Sequence, residues 1–556
     1  MNAERADKYE KAANERKKHV DAILASTSEK KIVVAGPGTG KTHLFKKILE
    51  GKTKTLTLSF INTLVEDLSL ELCGLSDVKT LHGFARSALG ESNKHSVRIF
   101  PKLSAVIKED FKIIRGKTVD FDRLFHRMDE ESDSIEFYKC RKDYYGHYGF
   151  VDIIFAIVKF FEKNKEKIPA YEQIVVDEFQ DFNRLEVALI ELLAAKSPIL
   201  LAGDDDQALY DFKDASPEHI RLRHGNKDSL YAPFTLPYCS RCTRVIVEAA
   251  NDVIKKAMEN GQLKGRLDKA YRYFVDKTKD LESDQNPKLV YSNRFATQIP
   301  WFIEKQLGEI AKEVKGHFSV LIISPTKIQA RDTANALKGK GLCGVESPES
   351  RGEAEPSLLD GLKLLLEDGK SNLGWRIAAK FFLKPEDFEA LVKESNLVGG
   401  KNVADIVNTD TRREIRDALK TLKCLKDKKP VDDATLDKTL AAVGLAPREM
   451  AKEKLRHEVM SDSQRGGNPS IRKLRIKTTT IQSSKGLAAE YVFITHFDDR
   501  YFIKNKNKLI ISDQDVCNFL VALTRAKKKV FLISSDGKTG PTFLKWIEAS
   551  RIEFTS

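Results

Sequence analysis

One short segment constrains this chain more than any other: IVVAGPGTGKTHLF, residues 32–45. Its first residues are typical of a buried β-strand and its last of a helix, with a glycine-rich loop between them. Such a loop turns tightly, so its N–H groups point at a phosphate, and the positive end of the helix faces the same anion. Lys41 is placed to reach the β- and γ-phosphates, and the Thr42 hydroxyl to hold Mg²⁺. The residues that we assign to this phosphate site are Gly36, Gly38, Thr39, Gly40, Lys41 and Thr42.

Two further segments place acidic residues directly after apolar strands. The strand YEQIVV is followed by Asp177 and Glu178, and the strand ILLA is followed by GDDDQ, residues 203–207. In a parallel sheet the carboxyl ends of the strands share an edge with the phosphate loop, so these side chains should converge on it. There Asp177 is suited to hold Mg²⁺, and Glu178 to orient and deprotonate the attacking water. A solvated polar turn is the alternative for each segment, although three consecutive acids need a metal or another cation nearby.

Composition limits the kind of protein and its compartment. A chain of 556 residues with 41% hydrophobic content can bury several cores, and its net charge of +13 favours a polyanionic partner. The seven cysteines are scattered and odd in number, which is typical of a protein of the reducing cytosol. No apolar run approaches membrane-spanning length, so we predict a cytoplasmic protein that does not associate with a membrane.

Two stretches differ in character from the strand-rich parts of the chain. Residues 91–149 are polar, mixed in charge and helical in patches, and they are interpreted as an inserted subdomain. Residues 346–470 carry amphipathic helical patterns interrupted by proline and glycine, and they form a second, larger insertion. The second insertion could rest on duplex nucleic acid or bind a partner protein, and its pattern is also that of an ordinary helical core.

Seven short motifs follow one another in an order that resembles a known family. They are AGPGTGKT, TLHGFA, VVDEFQD, AGDDDQALYDF, SRC, QSSKGL and VALTRA, and in this order the chain resembles the UvrD/Rep helicases of superfamily 1. The resemblance implies an α/β fold of two RecA-like P-loop motor domains, each with a mainly helical insertion, and ATP with Mg²⁺ between them. The first motor domain would comprise residues 1–90 and 150–232, and the second residues 233–345 and 471–556. The insertions would be residues 91–149 and 346–470.

The same resemblance assigns roles to residues outside the phosphate loop. It implies that Gln207 senses the γ-phosphate, that Arg241 reaches this phosphate from the second domain, and that Arg525 is the arginine finger. Positive charge on the equatorial oxygens stabilises the transition state of phosphoryl transfer. Gly486, in QSSKGL, is expected beside the nucleotide. The residues implied for nucleic acid are Phe60, Thr80, His82, Tyr210, Phe212 and Lys213. An aromatic face stacks on any base, and core packing is the alternative for each aromatic residue.

Several positions depart from the family pattern at features that read the base or the sugar of the nucleotide. Residues 1–35 contain no glutamine, which relatives use to read adenine. Ser240 stands where many relatives have a tyrosine that stacks on adenine, Ala488 where a glutamate that contacts ribose is common, and Gln482 where histidine is common. The phosphate and Mg²⁺ residues are intact. We therefore hypothesise a nucleoside triphosphatase with relaxed base preference.

The leading interpretation is an ATP-dependent DNA helicase or translocase that moves 3′ to 5′ on single-stranded DNA or tailed duplex DNA. A second interpretation keeps the hydrolase but makes it a nucleic-acid-sensing subunit of an antiviral or repair complex with little unwinding. The size and the unusual insertion favour this second interpretation, and the chain also resembles Gabija-type defence helicases to a smaller extent. A third interpretation, a binding subunit that does not hydrolyse nucleotide, is disfavoured by the complete set of catalytic residue types.

Overall fold

The structure of the protein is a computed structural model. It describes residues 2–60, 62–93, 97–129, 132–209, 214–226, 228–314, 316–348, 355–397, 401–442, 444, 471, 474–504, 510–535 and 540–555. The β-strands are β1 Lys30–Ala35, β2 Thr55–Ser59, β3 Asp77–Thr80, β4 Gln173–Val176, β5 Ile199–Gly203, β6 Ala232–Leu236, β7 Tyr238–Cys239, β8 Arg272–Tyr273, β9 Leu289–Asn293, β10 Val320–Ser324, β11 Val345–Glu346, β12 Ile476–Thr480, β13 Ala489–Thr495, β14 Ala526–Ser534 and β15 Ile552–Thr555.

The helices alternate with these strands and also fill the two insertions. They are α1 Asn2–Ala25, α2 Lys41–Leu49, α3 Asn62–Glu71, α4 Leu81–Asn93, α5 Leu103–Arg115, α6 Phe121–Arg127, α7 Asp133–Tyr145, α8 Phe150–Lys163, α9 Arg184–Ala194, α10 Glu218–Gly225, α11 Arg244–Glu259, α12 Lys277–Gln285, α13 Ile299–Glu313, α14 Lys327–Gly339, α15 Leu358–Glu367, α16 Asn372–Phe382, α17 Pro385–Glu394, α18 Val403–Ile406, α19 Thr409–Lys426, α20 Asp433–Ala442, α21 Asp499–Phe502, α22 Asp513–Leu523 and α23 Thr542–Trp546. Among the described residues, no helix is both long enough and apolar enough to cross a bilayer.

Two parallel sheets form the frame of the fold. The first has six strands in the order β3-β2-β4-β5-β1-β6, and the second has seven in the order β11-β12-β10-β13-β14-β9-β15. Every strand pair in both sheets is parallel. Strands such as β4 and β5 are buried along their whole length, as parallel strands covered on both faces are, which explains their nearly continuous apolar sequences. The predicted α/β class with parallel sheets is confirmed.

The chain divides into two compact units. Residues 1–81, 164–349 and 465–556 form the sheet unit, which contains both large sheets, and residues 82–163 and 350–464 form the helical unit. Each unit is therefore assembled from separate stretches of the chain. The helical unit contains residues 91–149 of the first predicted insertion and most of the second, residues 346–470. The division into four domains that the resemblance implies stays a prediction.

A buried ionic network joins the two insertions inside the helical unit. Asp110, on α5, is fully buried and accepts hydrogen bonds from Arg141 at 2.7 Å, from Arg376 at 2.8 Å and from the Tyr145 hydroxyl at 2.6 Å. Arg376 lies on α16, more than 200 residues away in sequence. Burial alone would raise the pKa of Asp110, but Arg376 and Arg141 hold that pKa below its ordinary value. The carboxylate is thus ionised at neutral pH and binds both insertions.

We expect Asp110→Ala to destabilise the protein by about 3–5 kcal/mol, because two buried guanidinium groups lose their common counter-ion. The measurement is the free energy of unfolding of the full chain in urea at neutral pH. Asp410→Ala is the matched control, since that carboxylate pairs with Arg413 on the surface and is 84% exposed. Equal effects of the two substitutions would show that the network does not stabilise the helical unit.

Candidate nucleotide site

The glycine-rich loop lies where the sequence places it, between the end of β1 and the first residue of α2. Gly38 and Gly40 have positive φ angles of 71° and 102°, a conformation that favours glycine. Thr39 is buried, and its hydroxyl donates to the carbonyl oxygen of Gly36 at 2.9 Å. A Cβ atom at Gly38 would collide with the side chain of Arg241. The loop is therefore closed on itself and contacted by the segment that carries this arginine.

The two acids after β4 meet the lysine of the loop. Lys41 Nζ lies 2.7 Å from Glu178 Oε1 and 3.4 Å from Asp177 Oδ1, and all three residues are largely buried. Burial raises the pKa of Asp177. Burial also acts to raise the pKa of Glu178, but the ammonium groups of Lys41 and Lys485 lower it below its ordinary value. Glu178 is therefore ionised at neutral pH.

The backbone of Glu178 is in an unusual conformation. Its φ and ψ angles are 53° and 44°, in the left-handed region that residues with a side chain rarely adopt. Such backbone conformations are costly and persist where the surrounding structure determines them, often at functional sites. Gln180 Nε2 donates to Glu178 Oε2 at 2.7 Å, and Lys41 binds the other oxygen. Both carboxylate oxygens are thus held in place.

Gln207 and Arg525 contact each other at the same site. Arg525, in the turn between α22 and β14, is 3% exposed, and its Nη2 donates to Gln207 Oε1 at 2.8 Å. Burial and the neighbouring Arg241 lower the pKa of Arg525 to about 10, so the group is protonated at neutral pH. Gln207 Nε2 in turn donates to Asp204 Oδ2 at 2.6 Å. The two side chains therefore form one polar contact between the two sheets of the sheet unit.

A cavity of about 470 Å³ gathers these groups. The sequence-predicted residues that line it are Gly36, Gly38, Thr39, Gly40, Lys41, Thr42, Asp177, Glu178, Gln207, Arg241, Gly486 and Arg525. They come from the phosphate loop, from the carboxyl ends of first-sheet strands and from three later segments, which carry Arg241, Gly486 and Arg525. The structure brings all of them together, and their roles stay predictions. Thr42 and Asp177 offer hydroxyl and carboxylate oxygens beside the loop, which are the ligand atoms that Mg²⁺ prefers.

The three consecutive acids after β5 have a cation beside them, as their sequence requires. Lys269 Nζ lies 2.5 Å from Asp204 Oδ1 and 3.1 Å from Asp206 Oδ2, and it also contacts Asp205. Arg266 binds Asp206 at 2.9 Å. Burial alone would lower the pKa of Lys269, but the carboxylates raise it above its ordinary value. The acids are therefore neutralised by protein side chains.

Sequence reasoning missed several residues of this region. Lys485, in QSSKGL, is buried, contacts Asp181 Oδ2 at 2.6 Å and donates to the carbonyl oxygen of Gln207 at 2.6 Å. Its position in the QSSKGL motif is a sequence signal that could have identified it as a site residue. Lys269 and Tyr271 lie outside every motif, and no local pattern distinguishes them from ordinary charged or core residues.

The residues predicted for nucleic acid are only partly brought together. Phe60 directly follows β2 and packs edge-on against Phe182, with ring centroids 5.6 Å apart. Thr80 ends the neighbouring strand β3, where it pairs with Ser59. These two candidates thus share the carboxyl edge of the first sheet. His82 belongs to the helical unit, where its ring lies 5.2 Å from that of Phe150. Tyr210, Phe212 and Lys213 lie outside the described residues.

The positions that depart from the family pattern are occupied by contacts within the protein. Ser240 donates its backbone N–H to the carbonyl oxygen of Gly38 at 3.0 Å, and its hydroxyl lies 3.3 Å from the same oxygen. The hydroxyl of Tyr238 donates to Glu15 Oε2 at 2.8 Å. Ser240 has no ring that could stack on a base.

Comparison with known proteins agrees with the motif order. A model of the UvrD/REP helicase N-terminal domain matches residues 120–227, the part of the chain that carries both acidic segments. The chain resembles the UvrD/Rep helicases. A protein named DNA helicase II from Haemophilus influenzae is 32% identical to this chain over 133 residues, which are 22% of the chain and 18% of that relative. ATP-dependent DNA helicase PcrA from Staphylococcus aureus is 33% identical over 115 residues, 20% of the chain and 16% of the relative.

One relative is similar over most of its length. A probable DNA helicase II homolog from Mycoplasma pneumoniae is 22% identical over 600 aligned residues, which cover 90% of this chain and 81% of the relative. The matches to the Haemophilus and Staphylococcus proteins, by contrast, span less than a fifth of those relatives.

Proposed function

We propose that this protein is an ATP-dependent DNA helicase or translocase of the UvrD/Rep kind, with two RecA-like motor domains in its sheet unit. One observation carries the proposal: a single cavity gathers the phosphate loop, the paired acids, Gln207 and two arginines. The names of its relatives favour a helicase over a sensing subunit with little unwinding.

In the proposed reaction the phosphate loop and Lys41 bind the triphosphate. In the structure Lys41 is paired with Glu178 and Asp177. A phosphate group entering the loop competes for this ammonium and releases Glu178 from one of its partners. The released carboxylate is ionised, so it can accept a proton from the attacking water. The exchange of partners thus ties activation of the base to nucleotide binding.

Thr42 and Asp177 are the residues that would hold Mg²⁺. They line the same cavity as the loop, and their oxygen atoms suit a hard divalent cation. The bound cation would neutralise charge that develops on the β- and γ-phosphate oxygens. The protein's own contribution is to keep Asp177 next to the loop, at the end of a fully buried strand.

The arginines connect hydrolysis to movement in this proposal. Arg525 directly precedes β14 of the second sheet and Arg241 follows β7 of a separate two-stranded sheet, whereas the acids end strands of the first. Their guanidinium groups stabilise the transition state only when both parts face the nucleotide. Nucleotide binding and product release would therefore open and close the site, and this motion would move the protein along a strand.

Single-stranded DNA, alone or as the tail of a duplex, is the proposed track. Phe60 and Thr80 share an edge of the first sheet, where an aromatic ring can stack on any base. The family resemblance favours 3′ to 5′ movement, and the segment 346–470 is the candidate surface for a protein partner. The scattered, odd-numbered cysteines favour a protein that works in the reducing cytoplasm.

The proposal is tested by measuring ATP turnover with and without single-stranded DNA, and then strand displacement on duplexes with a 3′ or a 5′ tail. We expect DNA to stimulate turnover and only the 3′-tailed duplex to be unwound. If single-stranded DNA does not change the rate of ATP turnover, the proposal that the protein is a DNA motor is contradicted. Stimulation without displacement of either duplex would favour the sensing subunit.

Because the base-reading positions depart from the family, we expect ATP, GTP and CTP to be hydrolysed with kcat/KM values within about 10²-fold of one another. A site that hydrogen-bonds its substrate specifically would reject analogues by about 10⁴-fold or more. Ser240→Tyr introduces the stacking ring that relatives carry, and it should shift the preference towards ATP. Strict dependence of the wild-type protein on ATP would refute the relaxed preference.

A further inference from the structure

A series of hydrogen bonds connects the candidate base to the candidate arginine finger. Gln180 donates to Glu178 at 2.7 Å, and its Oε1 accepts the backbone N–H of Asp204 at 3.0 Å. Gln207 donates to Asp204 Oδ2 at 2.6 Å and accepts from Arg525 at 2.8 Å. Asp204 is therefore the residue at which the two halves of the series meet.

The second oxygen of the Asp204 carboxylate is bound by Lys269. The Nζ atom of Lys269 lies 2.5 Å from Asp204 Oδ1, and the two side chains are 4% and 1% exposed. Electrostatic attraction is stronger in such a buried setting than in water. The carboxylate thus has one oxygen on Lys269 and the other on Gln207, which fixes its orientation.

Lys269 is itself carried by a well-anchored stretch between α11 and α12. In this stretch the backbone N–H of Leu267 donates to Asp205 Oδ2 at 2.9 Å, and the hydroxyl of Tyr271 donates to the carbonyl oxygen of Pro37 at 3.1 Å. A Cβ atom at Gly36 would lie 2.7 Å from the Tyr271 ring. The stretch therefore touches the acidic turn and the phosphate loop together.

We propose that Lys269 is a positioning residue for nucleotide hydrolysis, whose ammonium fixes Asp204 so that Gln207 faces the γ-phosphate. This inference rests on the proposed function. Lys269 acts through Asp204 and is not among the residues assigned to contact nucleotide or attacking water. The competing explanation is that Lys269 only neutralises three buried carboxylates. In that case turnover would depend on the balance of charges at this site, and the position of the Lys269 ammonium relative to Asp204 would have no effect.

The first test is Lys269→Ala, assayed for ATP turnover with and without ethylammonium chloride. Misplacement of Gln207 is expected to lower kcat about 10²-fold. KM should change less than about threefold, because the phosphate loop is intact. Ethylammonium can enter the space that the side chain leaves, next to a cavity lined by Asp204, Gln207 and Tyr271, and should restore kcat at least about tenfold. Sodium chloride at equal ionic strength should not. A kcat equal to that of the wild-type protein would overturn the proposal, as would a loss that the amine does not restore in folded protein.

A second variant keeps the charge balanced in case Lys269→Ala does not fold. Lys269→Met with Asp205→Asn removes one positive and one negative charge, and Arg221 remains 3.1 Å from position 205. If Lys269 positions Asp204, turnover stays low in this double variant. If Lys269 only neutralises charge, turnover returns to the wild-type rate, and the proposal fails. Lys256→Ala, which removes a lysine paired with Glu259 on the surface, is the control.

Hydrogen exchange gives a measurement that does not depend on activity. The amides of Asp204 and Gln207 are bonded to Gln180 and to the carbonyl oxygen of Asp204. Lys269→Ala should accelerate their exchange, and ethylammonium should slow it again, whether or not the protein hydrolyses nucleotide. If these two amides exchange at the wild-type rate in folded Lys269→Ala protein, Lys269 does not have the positioning role. Absence of turnover in the wild-type protein would instead refute the proposed function, and the exchange data would still decide the role of Lys269.

Discussion

Replacing Arg525 with alanine is expected to slow ATP turnover by about 10³-fold or more, the range that an arginine finger contributes. The buried guanidinium contacts Gln207 and lines the cavity with Lys41, so its removal leaves the developing phosphate charge without a partner. Nucleotide binding should persist, because the phosphate loop and its lysine are unchanged. The measurement is single-turnover hydrolysis together with binding of a fluorescent ATP analogue.

Lys527→Ala is the matched control for Arg525. It removes a positive charge two residues away whose side chain is exposed, and its backbone carbonyl, which binds Thr243, remains. Turnover of this control should equal that of the wild-type protein. Arg525→Lys separates charge from geometry, since a lysine keeps the charge but cannot present a planar guanidinium. Turnover of Arg525→Ala within tenfold of the wild-type rate would remove the arginine from the catalytic role.

Glu178→Gln should bind nucleotide normally and hydrolyse it about 10²–10⁴-fold more slowly, because the amide cannot accept a proton from the attacking water. The side chains of glutamate and glutamine have the same shape, so the contact with Gln180 and the unusual backbone at this residue can be kept. We would measure kcat, KM and nucleotide affinity for the same preparation. A lowered kcat with unchanged affinity supports the role of the base.

The control for Glu178 is Glu50→Gln, at the far end of α2, where the carboxylate pairs with Lys47 on the surface. It tests whether the loss of any carboxylate near the phosphate helix slows turnover. We expect no change. If Glu178→Gln retains the wild-type rate, another group must activate the water.

The sequence alone predicted most of the cavity because its residues belong to compact motifs. A glycine-rich loop and acids that follow apolar strands are local patterns, and parallel strands bring their ends to one edge. Arg525 and Gly486 were placed by family resemblance, and the structure finds both lining the same cavity as Lys41. Their chemical roles still depend on the experiments above.

The other buried charged residues could not be predicted from local sequence patterns, because their contacts depend on the tertiary fold. Lys269 is one lysine among many, and only the fold reveals that it is buried against three acids that lie more than 60 residues earlier. Asp110 and Arg376 likewise carry no signature, since their pairing depends on two distant segments meeting. Tyr210, Phe212 and Lys213 stay predictions because they lie outside the described residues.

The union of the two insertions has a consequence for chimeras. Because Asp110 from one segment pairs with Arg376 from the other, a graft from a relative that lacks the matching residue would break this buried ion pair, leaving Arg376 without Asp110 or Asp110 with Arg141 alone as its guanidinium partner. Exchange of substrate or partner specificity between relatives would need residues 82–163 and 350–464 to travel as a pair. Recombinants whose breakpoints separate these two segments should therefore be less stable than recombinants that exchange both.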